Sequence, residues 1–488
     1  MKNAHVSRTL VGLAHQVIGL IVCLGITLAA LPQPISSASS LMAAAHAATG
    51  GVVSPGLQRV LAAAQPADRV RVIVRFKQQA DLTRLSVPAT NRRSSAARAG
   101  LVGALQVQAG QSQGALNTFL NNAGLANQVD TIQNFWIFNG TALRATPQAL
   151  RAIAARDDVA SLTLDEWRKW IDAGAIQPTP PLSRTNLYAF QLSAAPVSSP
   201  WGIQKIRADQ VWSSLGVTGT GVTVGTIDTG VDWQHPALQP GYRGWNNRLP
   251  VDHLHNWFDA TDEGALYPTD MNGHGTHTMG TIAGQGGIGV APGARWMAAK
   301  GLNSQGFGYD SWLHAAFQFM LAPGGDASYA PDIVSNSWGN NDGSSAEFMS
   351  DVDALNAAGI FVVFANGNNG PGVGTVGSPA SLPGAIGIGA TDPDDDVTSF
   401  SSRGPSTFGP VKPELSAPGL NVLSSYPGGQ YATASGTSMA TPHVAGAAAL
   451  LLSALPSMSI TGTLYTLTST ARPLAPSLPS NDTGWGRI

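Results

Sequence analysis

Between residues 222 and 470, short apolar runs alternate with longer helical ones, and that alternation leaves the chain few folds to choose from. Val222–Ile227, Arg295–Lys300, Ile333–Asn336, Ile360–Phe364 and Ala385–Gly389 read as strands. His274–Ala283, Ser311–Leu321, Phe348–Ala358, Met439–Leu455 and Ile460–Thr470 read as helices. Strands separated by helices imply a parallel sheet with helices on both faces, a doubly wound α/β class. In such sheets the chemistry gathers at the carboxyl ends of the strands. Asp228, Ser337 and Asn368 each fall just after a strand-like run ends.

The sequence upstream of this region reads differently. Arg69 to Phe76 alternates polar and apolar residues as a half-buried strand does, and Arg93 to Leu120 has helical composition. Strand-like pieces near 135–138 and 141–145 follow, then a helix starting at Thr146-Pro147, then Val159 to Leu164. The order β-α-β-β-α-β is that of a ferredoxin-like α+β unit. Residues 166–199 lack periodicity and carry Pro178, Pro180, Pro181 and Pro196, the composition of a linker. At the start, Lys2 and Arg8 precede an apolar run from Val11 to Leu31, and Ala43-Ala44-Ala45-His46-Ala47 supplies small residues for cleavage after Ala47. Residues 1–47 are therefore expected to be an export signal rather than a retained anchor, so that the protein is secreted. The only cysteine, Cys23, lies inside that segment, so the mature chain is expected to lack thiols and disulfides. The net charge of −2, with 11% charged residues, gives no basic surplus for nucleic acid.

Three stretches carry the chemistry: Asp228-Thr229-Gly230, Gly273-His274-Gly275-Thr276-His277 and Gly436-Thr437-Ser438-Met439-Ala440. They supply an acid, a base and a hydroxyl nucleophile, the parts an acyl-transfer protease needs. Ser438 sits where a helix begins, so helix-terminal N–H groups favour negative charge developing beside it. In motif sequence and in the chain order Asp…His…Ser, roughly residues 200–488 resemble the subtilase (subtilisin-like) serine peptidases. Trp201-Gly-Ile-Gln-Lys-Ile, Asn256-Trp-Phe-Asp and Ser335-Asn-Ser-Trp-Gly resemble the bacillopeptidase F branch of that family.

The resemblance implies roles. Asp228 would orient the imidazole, His274 would act as base and then acid, and Ser438 would attack. His277, His235, His443 and Asp232 would be structural. Of the asparagines in Phe364-Ala365-Asn366-Gly367-Asn368-Asn369-Gly370, the family pattern selects Asn368 as the oxyanion donor beside the Ser438 N–H, with Asn366 the competitor. Ser337-Trp338-Gly339 resembles the family's substrate strand, with Gly306 on the opposite edge of the groove. Trp338, where leucine is usual, either crowds a subsite or packs in the core.

No cofactor is required for this chemistry and no metal ligands are assigned. A structural calcium is not expected at the family's usual tight site, where the acid position reads Ala237, and the Asp392–Asp396 turn reads as solvated acid rather than a calcium loop. Two G-x-G-x-x-G matches, at 284–289 and 372–377, open no helix and do not bind dinucleotides. Residues 48–165 resemble the inhibitory propeptide found upstream of subtilases, which implies self-cleavage within 166–199 and a peptidase domain over 200–488. Partners would be protein and peptide substrates and the chain's own propeptide, with no membrane after signal removal; the enzyme would be a monomer. Thr470 to Ile488 stops where family members continue into an Ala-rich helix, so a shortened final edge is expected. The rival reading, a catalytically inactive secreted binding protein on the same fold, is opposed by the complete triad.

Overall fold

The computed structural model describes residues 52–88, 91–171, 177–178 and 199–488. The expected signal and most of the expected linker lie outside these residues. The upstream unit is a four-stranded antiparallel sheet in the order β2-β3-β1-β4. Its elements run β1 (Val70–Phe76), α1 (Ser95–Asn122), β2 (Val129–Phe135), β3 (Gly140–Ala145), α2 (Pro147–Ala154) and β4 (Val159–Leu164). This is the ferredoxin-like order. In β1 the side chains alternate across the sheet. Val72, Val74 and Phe76 pack with Leu116 and Leu120 of α1 and with Leu150 and Ile153 of α2. Arg71 and Arg75 point the other way, onto the downstream unit.

The strand expected near 135–138 begins and ends earlier than the sequence suggested. Residues 136–139 form a turn, with Asn139 at φ 44°, and β2 is mostly exposed, so it lacks the apolar pattern that would have revealed it. The expected linker is also not structureless throughout. Its first residues form β5 (Trp167–Lys169), and β6 (Gln177–Pro178) adds to a small antiparallel sheet further on.

The downstream unit holds a seven-stranded, all-parallel sheet in the order β14-β13-β12-β11-β7-β9-β8. Its strands are β7 (Thr223–Asp228), β8 (Trp257–Asp259), β9 (Arg295–Lys300), β11 (Ile333–Asn336), β12 (Phe361–Ala365), β13 (Ile386–Thr391) and β14 (Leu415–Pro418). The short strand β10 (Phe307–Tyr309) pairs with β5, and β15 (Val422–Tyr426) pairs with β16 (Gln430–Ala434). The main helices are α3 (His274–Ala283), α4 (Asp310–Leu321), α5 (Met349–Ala357), α6 (Thr437–Ala454) and α7 (Ile460–Ser469). This is the doubly wound architecture of the subtilisin fold.

Helix α6 passes through the centre of the core, and nearly every residue from Thr437 to Leu452 is buried. Val444, Ala445, Ala448 and Ala449 pack with Val224 of β7, Ile333 of β11 and Ile388 of β13. Small residues let neighbouring helices and loops approach closely: a Cβ on Gly446 would lie 2.5 Å from Val290, so Gly446→Val would force the core apart. Where the upstream unit meets the downstream one, Asp165 at the end of β4 accepts from the Ser311 N–H (2.9 Å) and hydroxyl (2.8 Å). A carboxylate there complements the positive end of α4.

Candidate active site

β7 and β11 are neighbours with Ile227 opposite Asn336, and β12 lies beside β11 with Phe364 opposite Asn336. Asp228, Ser337 and the loop carrying Asn368 therefore leave adjacent strands at the same end of the sheet. Asp228 is buried, and its Oδ1 accepts from its neighbour Thr229 N–H at 2.7 Å and from His274 Nδ1 at 2.8 Å. Its Oδ2 accepts from the Thr278 hydroxyl at 3.2 Å. His274 opens α3 and is fully buried, and its Nε2 has no hydrogen-bond partner among the described residues. With Nδ1–H committed to Asp228, the neutral ring presents a bare acceptor at Nε2. Burial opposes a charged imidazole here, but the Asp228 charge and hydrogen bond, with Asp270 behind them, hold the pKa above its ordinary value.

Asp270 was not singled out in the sequence, although Asp-Met-Asn-Gly before His274 carries the signal of a side-chain-capped turn. It accepts from the Thr229 hydroxyl (2.9 Å), the N–H groups of Asn272, Gly273 and Thr276, and the Thr276 hydroxyl (2.7 Å). One carboxylate thus joins the turn after Asp228 to the first turn of α3.

Ser438 is the second residue of α6, after Gly436 at φ 153°. Pro442 inside this helix has no N–H, so the carbonyl of Ser438 lacks its usual donor four residues on. The Ser337 hydroxyl takes that place at 2.9 Å, and the Ser438 hydroxyl donates in return to the Ser337 carbonyl at 2.9 Å. Ser337 therefore turns its side chain to α6 rather than to a groove. Asn368 Oδ1 accepts from Thr437 N–H at 2.9 Å and from its hydroxyl at 3.0 Å. A Cβ on Gly436 would lie 3.5 Å from Asn368 Nδ2 and 3.6 Å from Ser438 N, so amide and backbone donor share one side of that residue. Asn366 is placed elsewhere: it is buried and donates to the Ser402 carbonyl at 2.7 Å.

The other candidates are held by structure. His277 Nε2 lies 3.0 Å and 3.1 Å from the carbonyls of Val422 and Ala432, and burial pulls its pKa down to about 4. His443 bonds the Met439 carbonyl at 2.8 Å and burial likewise takes it to about 4. His235 bonds the Gln430 carbonyl at 2.8 Å. Ala237 packs with Ile288 and Tyr431, an apolar setting that does not fit a cation. In the acidic turn, Asp395 is paired with Lys205, Arg472 and Arg487.

The start of the expected linker crosses this end of the sheet. β5 pairs antiparallel with β10, Trp170 N–H donates to the Gly306 carbonyl (3.0 Å), and Gly339 N–H donates to the Trp170 carbonyl (3.1 Å). Gly306 and Gly339 thus flank an extended segment of the chain itself. Trp170, 2% exposed, stands edge-on to Trp338 and Phe348, and its indole N–H donates to the Gly308 carbonyl at 3.1 Å. Trp338 packs in the core. It is buried with its indole N–H on the Ile227 carbonyl at 2.9 Å, and it forms one wall around Trp170.

Residues 219–486 match the Peptidase_S8 model of the subtilase family. The chain belongs to the subtilase family. It is 36% identical over 414 residues to Bacillopeptidase F of Bacillus subtilis (strain 168), a match spanning 80% of this chain and 28% of that protein. It is 38% identical over 284 residues to Subtilisin DY of Bacillus licheniformis, covering 57% of this chain and 93% of that one. Subtilisin E of Bacillus subtilis (strain 168) is 38% identical over 280 residues, 56% of this chain and 66% of that one. The chain thus spans less than a third of Bacillopeptidase F and nearly all of Subtilisin DY.

Proposed function

We propose that this chain is a secreted serine endopeptidase, made as a self-processing zymogen, that cuts peptide bonds through Asp228, His274 and Ser438. The observation that carries this is the buried Asp228–His274 pair, which leaves Nε2 of His274 bare at the end of the sheet where Ser438 lies in the first turn of α6. In this reading His274 takes the Ser438 proton as the hydroxyl attacks the scissile carbonyl, and Asp228 stabilises the imidazolium that forms. The Ser438 N–H and the Asn368 amide receive the oxyanion, and His274 then protonates the leaving amine. Acyl-enzyme hydrolysis repeats the cycle with water. The Gly306 and Gly339 edges bind substrate as an added strand, a reading supported by the backbone hydrogen bonds that Gly306 and Gly339 make to Trp170.

Residues 48–165 would be the inhibitory propeptide, 166–199 the segment cut during maturation, and 1–47 the signal. Two features support this: the upstream unit's tail occupies the strip where a substrate would lie, and relatives carry peptidase names. The test is a fluorophosphonate probe combined with single substitutions. Label on Ser438 and loss of more than about 10²-fold in rate for His274→Ala are expected. An unlabelled, fully processed protein would favour the inactive binding module instead.

A further inference from the structure

The upstream unit also reaches the opposite end of the parallel sheet. Asp332 precedes β11, where its N–H bonds the Thr223 carbonyl and its carbonyl accepts from Phe361 N–H, so it marks the starts of β7, β11 and β12. Ser337 lies five positions further on, about 16 Å of extended strand at about 3.3 Å per residue. Onto this buried carboxylate come two successive arginines. Arg92 Nη1 donates to Oδ1 at 2.7 Å, and Arg93 donates through Nε to Oδ1 and through Nη2 to Oδ2, both at 2.6 Å. Thr223 N–H donates to Oδ2 at 3.0 Å.

A third guanidinium, that of Arg98 in the first turn of α1, finds carbonyls only: Ala358 at 3.0 Å, Ala330 at 3.0 Å and Pro331 at 3.4 Å. Val87 N–H donates to the Ala357 carbonyl at 2.7 Å, and Gly359 is bare where any Cβ would meet Arg92 at 2.9 Å. Arg92 and Arg98 are 2% and 3% exposed. Buried guanidiniums on a surface formed by another unit are costly unless charge and carbonyls meet them there.

We propose that Asp332, with the carbonyls of Ala330, Pro331 and Ala358, is a binding site for paired arginines, and that it holds the upstream unit on the peptidase after the connecting segment is cut. The inference rests on reading residues 48–165 as a separable inhibitor. The groove strand ending at Trp170 and the arginine site grip opposite ends of β11, so losing the first does not release the second. The peptidase would then remain covered until Arg92, Arg93 and Arg98 are withdrawn together.

The test uses the full chain carrying Ser438→Ala, with a recognition sequence for an added, sequence-specific endopeptidase placed between residues 181 and 198. After that cut, the two pieces should stay together on size exclusion and separate slowly from a surface holding the C-terminal piece. Arg93→Gln should speed separation by about 30-fold or more, because the buried Asp332 carboxylate loses its two-point partner. Arg93→Lys should not restore the slow rate, since an ammonium cannot make the two-point bond. Trp170→Ala should add its own effect independently. Because 34% of the Arg93 side chain is exposed, its loss leaves the fold intact, and the melting temperature checks that. Separation unchanged by Arg93→Gln and by Arg92→Gln would overturn the proposal and leave the groove as the sole anchor. Since the cut is made from outside in an inactive chain, this outcome does not depend on Ser438 being a nucleophile. Failure of the enzymatic reading would appear instead as an active-sequence chain that is never processed between 166 and 199.

Discussion

At the scale of single residues, two asparagines two positions apart have opposite fates. Asn368→Ala is expected to lower kcat by about 10²–10³ with KM little changed, the loss known for such a donor in subtilisin itself. Asn366→Ala removes the donor to the Ser402 carbonyl and should cost about 1–3 kcal/mol of stability without that kinetic signature. Steady-state kinetics and thermal melts on the pair decide between them. Acidity gives a second test. In the proposed mechanism His274 must be neutral to accept a proton, and its pKa is held above the ordinary value. Activity should therefore be lost as pH falls through a value above 6.5, and Asp228→Asn should move that limb of kcat/KM to lower pH. Asp228, His274 and Ser438 stood out in the sequence because each sits in a short motif, and the structure brings their strand and helix ends to one end of the sheet. Asp270 and Trp170 were not, because their roles depend on partners that local sequence does not name: the turn after Asp228, and β10 more than a hundred residues away.

Among the elements, α6 shows how a helix-breaking residue is accommodated. Ser337→Ala would leave the Ser438 carbonyl without a donor and should cost about 1–3 kcal/mol. Pro442→Ala would supply a backbone N–H to that same carbonyl. The double variant is therefore expected to be more stable than the sum of the single effects, a coupling that denaturant titrations of all four proteins would measure. A simple sum would show that the two groups do not share the carbonyl. Of the strands that the sequence revealed, β12 is buried and apolar along its length, and β7 is buried beyond its first residue. Those it misplaced or missed lack that signal: β2, expected several residues later, is largely exposed, β8 has three residues, and β5 is recognisable only by its pairing with β10. The region 166–199 reads as a linker from its prolines, and at its start Trp167 and Trp170 lie three apart rather than alternating, so the stretch carries no strand pattern.

Over the whole molecule, the two units share a buried ionic seam. Arg75 of β1 donates to Glu347 at 2.7 Å, Glu347 bonds His314 at 3.0 Å, and His314 bonds Asp351 at 2.9 Å, beneath Phe138 with ring centroids 4.4 Å apart. Burial disfavours the His314 charge, but Asp351 and Glu347 outweigh it and push the pKa up to about 9. Such a group stabilises fully below its unfolded value of 6.5, and that contribution is lost as pH rises through about 9. Asp310, held above the usual carboxylate range chiefly by burial, binds its proton more tightly folded than unfolded and slopes the same way. The melting temperature of the Ser438→Ala chain should fall between pH 6.5 and 9, and His314→Phe should flatten the decline; a flat parent profile would remove His314 from the seam. The pocket around Trp170 has a further use. Its indole lies in a buried aromatic box with Trp338 and Phe348, whereas Trp167 three residues earlier is 45% exposed. When that strand leaves its groove, one indole passes from an apolar enclosure into water while Trp338 loses its neighbour. The emission maximum should move to longer wavelength, so the molecule carries an intrinsic optical clock for its own uncovering.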